Sequence, residues 1–164
     1  VLLGLRRAPP MTARAAAVAT VGLSLVLASD DLDLALTQAD AAEVAATVGT
    51  GHIAGHWGFQ HHLSDRGWIS AEDDQPLPPG TWLAESRIAW PQAPSNDCFD
   101  VSHIVPMMDP NPGLRVHTAE GGANIHGHSI AGSPPLPVFA PWSMGTDPMD
   151  MLTLRRTCPA PTAE

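Results

Sequence analysis

The hydrophobic pattern opens with one uncharged block, AAAVATVGLSLVLAS, from Ala15 to Ser29. Arg6, Arg7 and Arg14 precede it, and Asp30, Asp31 and Asp33 follow it. The block is shorter than the ~20 residues that a bilayer-spanning helix needs. It extends, however, toward a far interface through Leu32, Leu34 and Leu36. Three readings fit this order. With translation from Met11, Arg14 is a small basic region and the block is the apolar core of a secretory signal. Alternatively, VLLGL (residues 1–5) ends one membrane helix, RRAPPMTAR is a short cytoplasmic loop, and the block enters the next helix. The third reading is a buried helix of a soluble core. In both membrane readings the positive-inside rule keeps the arginines in the cytoplasm and places everything after Asp30 outside it.

Beyond the block, DDLDLALTQADAAEVAATVG (residues 30–49) is rich in good helix formers. Leu34, Ala41, Val44, Ala45 and Val48 fall near helical spacing. This predicts a helix that joins the apolar one, with a kink at the junction, and ends at Gly49. HIAG (52–55) reads as a short buried strand, HWGFQHHLSDRG (56–67) as a helix of about three turns, and WIS (68–70) as a second strand. After a polar, Pro-rich connection, TWLAES with RIAW, then VSHIV, LRVHTA and MLTLRR read as strands. The expected fold class is α/β. An N-terminal membrane helix precedes a small α/β domain with a three- to five-stranded sheet and Pro/Gly-rich loops. Residues 1–29 form the end of the membrane region, 30–158 the extracytoplasmic domain, and 159–164 a disordered tail.

Composition narrows the functions. The net charge is −9, and the eight basic residues are all Arg and scattered along the chain, which argues against a nucleic-acid partner. With 17 Pro and 14 Gly, much of the second half must be turn and loop. Two cysteines, Cys98 and Cys158, suit an oxidising compartment, where a disulfide persists, but spacing leaves their pairing open.

Candidate chemistry concentrates in GHIAGHWGFQHHLSDRGW (51–68), which holds four of the eight histidines. His52 and His56 lie four apart, but Gly55 and Gly58 disfavour a helix that would bring them together as zinc ligands. His117, His126 and His128 make a further possible set, without HExxH or CxxC. No serine sits in a GxSxG elbow, and no carboxylate pair marks an acid/base couple. No metal or cofactor is expected. Gly55 and Gly58 permit a positive φ or a close backbone approach. Trp57 or Phe59 would anchor this strand-to-helix turn in the core. Such a turn lies where α/β sheets present ligand-binding loops, so His56, Trp57 and Gln60 are the candidate binding residues.

GHWGFQHHLSDRGW (55–68) resembles a stretch of bacterial membrane glycosyltransferases of the protein-mannosyltransferase-like family. LPPGTWLAE (77–85), GGANIHGHSIAGSPPLPVFAPW (121–142) and DPMDMLTLRR (147–156) resemble later segments of that family in the same order. Thr81 replaces a usual Asp, His61–His62 a usual Tyr pair, and Ile125–His126 a usual Phe-Tyr. The resemblance implies a polytopic enzyme that takes a sugar from a polyprenyl-phosphate donor outside the cytoplasm, for a glycan or protein acceptor. The family's catalytic carboxylate lies in its first extracytoplasmic loop, which has no counterpart in these residues, so no catalytic residue carries over. The chain would then be a last membrane helix with a non-catalytic extracytoplasmic accessory domain. Two alternatives are a secreted His-rich metal-binding or small hydrolytic protein, and a membrane-anchored interaction domain.

Overall fold

The computed structural model of the chain describes residues 10–89, 92–108, 114–115, 143–144 and 147–159. Its first element is one helix, α1 (Pro10–Ala46), of 37 residues. The helix runs unbroken through Ser29 and Asp30, where a kinked junction was expected. No Gly or Pro interrupts residues 23–46, so no residue there forces a bend. Pro10 stands at the start, where its missing N–H costs nothing.

The two halves of α1 meet different surroundings. In the first half the apolar side chains face outward, with Val18 73% and Leu25 67% exposed. Thr20 and Ser24 hydroxyls donate back to the carbonyls of Ala16 and Thr20, at 2.8 and 2.9 Å. They thereby hide their polarity in the helix itself. From Asp30 onward one face is buried: Asp30, Thr37, Gln38, Ala41, Ala42 and Ala45. These recur at the 3.6-residue period. The small alanines let the helix lie close on the sheet.

The chain continues as β1 (Gly51–Ala54), α2 (Trp57–Ser64), β2 (Ile69–Ser70), β3 (Trp82–Ser86), β4 (Phe99–Met107), β5 (Leu114–Arg115), β6 (Ser143–Met144) and β7 (Asp150–Thr157). Five of these strands form one sheet in the order β2-β1-β3-β7-β4. β1 runs parallel to β2 and β3, and β7 runs antiparallel to β3 and β4. The fold is therefore α/β with a mixed sheet. β5 and β6 pair apart from it. α2 has eight residues, about two turns rather than three. RIAW does not extend β3, because residues 87–89 bend away. Of LRVHTA only Leu114–Arg115 is described, and the expected tail beyond Pro159 lies outside the described residues.

Strand alternation assigns the two sheet faces. Ile53, Ala84, Leu152 and Leu154 pack under α1 and α2 with Phe59 and Leu63. Ala54 and Leu83 point the other way and pack with Ala71, Leu77 and Phe99. A bulge decides where Phe99 goes. Phe99 pairs with Thr157 and Val101 with Arg156, so Asp100 is an extra residue in β4. The bulge reverses the alternation. Val105 and Met107 remain on the helix-covered face, whereas Phe99 turns to the opposite one. Asp100 itself forms a two-point ion pair with Arg156, at 2.8 and 3.2 Å. The Arg156 hydrogen bond holds the Asp100 carboxyl below the usual carboxylate range.

Cys98 and Cys158, left open by the sequence, form a disulfide across 60 residues of chain. It ties the entry of β4 to the exit of β7. Closing a loop of that length removes about 4 kcal/mol of denatured-state entropy in the chain-entropy treatment. The double variant Cys98→Ser/Cys158→Ser should therefore lose roughly 2–4 kcal/mol of unfolding free energy. Denaturant titration of the purified chain, with and without reductant, measures this. Reductant should lower the midpoint of the parent but not of the variant.

Candidate binding cleft

The turn that links β1 to α2 is held from three sides. Gly55 has φ +153°, and a Cβ there would meet the Phe59 ring at 3.0 Å. Gly58 sits against Gln38 of α1, whose Oε1 would lie 2.5 Å from an added Cβ. Phe59, fully buried, anchors the turn. Backbone N–H groups complete the attachment. His56 donates to the Ala89 carbonyl at 2.7 Å, and Gly55 to Gln92 Oε1 at 2.6 Å.

The three candidate binding residues of this turn do not share one contact set. The His56 ring meets Gln92 Nε2 at 3.2 Å. Gln60 donates to Ser70 Oγ at 2.6 Å and so ties α2 to β2. Trp57 is the first residue of α2. The other histidines of the motif are dispersed: His52 lies in β1, and His61 lies 3.8 Å from Asp65 on the exposed side of α2. Among the described residues no three His, Cys, Asp or Glu side chains converge as metal ligands. His117, His126 and His128 lie outside the described residues.

The Ala89 partner of the turn is itself positioned, through Ser86, by a buried carboxylate that the sequence does not mark. Asp150, with no exposed surface, accepts from Ser86 Oγ at 2.5 Å. It also accepts from the N–H groups of Met151 at 2.7 Å and Ile88 at 3.3 Å. Ser86 Oγ in turn accepts from the Ala89 N–H at 3.2 Å. Burial pushes the Asp150 carboxyl above the usual carboxylate range, against the opposing pull of these hydrogen bonds. Ser86 and Asp150 resemble two members of a catalytic triad in type alone. Both are fully buried, so neither reaches a substrate.

Accessible chemistry lies on the sheet face opposite α1. There a cleft of about 250 Å³ is lined by Leu83, Glu85, Gln92, Asn96, Phe99 and Arg155, among others. Leu83 and Phe99 form an apolar floor. Arg155 lies over the Phe99 ring at 5.5 Å and 3.6 Å from the Glu85 carboxylate. The rim is the segment 92–96, which has no regular structure but is pinned throughout. Asn96 exchanges two hydrogen bonds with the Leu77 backbone, at 2.8 and 3.0 Å. Asp73 accepts from the Ala93 N–H at 2.9 Å, and the Ser95 N–H donates to the Gln75 carbonyl at 3.2 Å. Gln92 belongs both to this rim and to the Gly55–His56 turn, which connects the turn to the cleft.

None of the cleft residues stood out in the sequence. Glu85 and Arg155 are 70 positions apart, and only strand pairing brings them together. One signal was available: the tandem Arg155–Arg156 in an alternating strand demands that one guanidinium lie on each face of the sheet.

The Asp150 network yields a pH test with a definite sign. Its folded-state pKa lies above the unfolded one, so protonation favours the fold. That contribution is complete below the unfolded pKa and is lost as pH rises through the folded pKa. As pH falls from about 7 to about 4, unfolding free energy of the parent should rise relative to that of Asp150→Asn. Asp150→Leu, which leaves buried N–H groups unpaired, should lose at least about 2 kcal/mol at neutral pH. Chemical unfolding across that pH range measures both.

Comparison of the chain with protein-family models, with curated proteins and with solved structures finds no match, so the fold and the cleft stand on their own geometry.

Proposed function

We propose that this chain is a membrane-anchored, extracytoplasmic α/β domain of a glycosyltransferase that uses a polyprenyl-phosphate sugar. On this reading the domain helps to shape the lipid-sugar or acceptor cleft and carries no catalytic residue. The membrane part of the proposal is carried by α1. The 19 residues from Met11 to Ser29 make about 28 Å of helix, close to the ~30 Å of a bilayer core. The most apolar stretch of this helix is not buried by the rest of the chain. A signal sequence shares that length and apolarity. The same unbroken helix supplies Asp30, Thr37, Gln38 and Ala41 to the core. Leu32 and Leu36, on the outward side, continue the apolar stripe of Val18 and Leu25. Such a stripe suits a helix packed among lipids and neighbouring helices. The Arg14-before, Asp30-after order supports an extracytoplasmic domain, as does the Cys98–Cys158 disulfide. The glycosyltransferase part of the proposal is supported by the GHWGFQ-type motif and the ordered resemblance downstream.

Two measurements test it. The chain, produced in a bacterial host, should stay in the membrane fraction after alkaline wash, and intact mass should show Met11–Ser29 retained. Alkaline phosphatase fused after Glu164 should be active. A soluble product beginning near Asp30, or an inactive fusion beside a fluorescent cytoplasmic reporter, would refute the anchor or its orientation. The purified chain alone should transfer no sugar from polyprenyl-phosphate donors to candidate acceptors. Transfer above a no-protein control would show that it holds its own catalytic group.

A further inference from the structure

The cleft opposite α1 combines features that a packed surface does not need. Its rim is a loop tied to three other segments, by Asn96 to the Leu77 backbone, by Gln92 to the Gly55 N–H and by Asp73 to the Ala93 N–H. Its floor is anchored by the nearby disulfide and by the bulge at Asp100, which swings Phe99 into it. Preorganisation of this kind lowers the entropic cost of binding.

The chemistry inside the cleft is unsaturated. Arg155 and Glu85 are partly exposed, 38% and 24%, and their 3.6 Å separation is longer than a direct hydrogen bond. Apart from each other and the Phe99 ring, their charged groups have no side-chain partner among the described residues. A guanidinium offers several fixed donors, and a carboxylate offers only acceptors. The two charges offset each other, and no other charged side chain lines the cleft among the described residues. A neutral ligand with adjacent hydroxyls satisfies both groups without separating them.

We propose that this cleft binds one pyranose ring of a neutral glycan. Glu85 accepts hydrogen bonds from neighbouring hydroxyls, Arg155 donates to hydroxyl or ring oxygens, and the Leu83–Phe99 floor receives the apolar C–H edge. This site is argued from the cleft geometry and goes beyond the accessory-domain reading. Its test measures binding rather than transfer or topology, so the two proposals fail separately.

The experiment uses the full chain in a phosphocholine detergent, since sugar-headed detergents would compete. Methyl α-mannopyranoside, methyl α-glucopyranoside and methyl β-galactopyranoside are the probes, with glycine and acetate as zwitterionic and anionic controls. Binding is read by saturation-transfer nuclear magnetic resonance. Side-chain amide shifts of Gln92 and Asn96 in the parent give a second readout that does not depend on variants. At least one pyranoside should bind and shift those amides. Glu85→Gln and Arg155→Met, the latter keeping an apolar stem over Phe99, should each weaken binding at least about tenfold. No pyranoside binding to the parent, binding without amide shifts, or glycine or acetate binding in place of sugar would overturn the assignment. So would undiminished binding by both variants when they unfold at the parental temperature.

Discussion

The Asp150 carboxylate has no exposed surface and accepts from one hydroxyl and several backbone N–H groups. It stands at the first residue of β7, beside the last residue of β3, where the chain must stop being strand and turn back. It gathers the Ser86 hydroxyl and N–H groups on both sides of the junction, Ile88 after β3 and Met151 in β7. Ser86 Oγ accepts the Ala89 N–H, and the Ala89 carbonyl receives the His56 N–H. The entry of α2 is therefore tied, through Ser86 and Ala89, to one buried acid. Burying that acid is costly, which its raised pKa records, and the cost is tolerated because the alternative is several unpaired buried donors.

A second constraint is mechanical. α1 is a single rod with two environments, apolar and outward-facing at one end and core-forming at the other. No linker separates the two, so the orientation of the sheet follows that of the helix. The sheet keeps one face for α1 and α2 and leaves the other to the loops 71–78 and 92–96. The cleft lies on the second face, away from the rod. In the proposed membrane setting this arrangement holds the cleft at a defined place relative to the bilayer.

The polarity of the cleft also comes from strand geometry. Arg155 and Arg156 are neighbours in β7 but serve opposite faces. Arg156 pairs with Asp100 and lies over Trp82 at 5.6 Å, whereas Arg155 faces Glu85 and Phe99. Without the extra residue at Asp100, Phe99 would point to the helix side and Arg155 would lose its aromatic neighbour. A one-residue irregularity in an edge strand thus decides the composition of the floor.

Local and periodic features were legible in the sequence. The uncharged block and its charged flanks, the helix beyond Asp30, the strand-to-helix turn at Gly55–Gly58 with an aromatic anchor at Trp57 or Phe59, and the α/β class all follow from composition and spacing. Those signals act over a few residues or one period, so they survive without tertiary information. The apolar helix and the one beyond Asp30 join, as expected, into a single element. The backbone there contains no residue that imposes a kink. The Cys98–Cys158 pairing, the Ser86–Asp150 hydrogen bond and the Glu85–Arg155 pair span 60 to 70 residues each, and nothing local in the chain encodes them. They exist because β7 enters the sheet between β3 and β4. That choice of neighbours is settled only when α1 and the two faces of the sheet bury their apolar residues together.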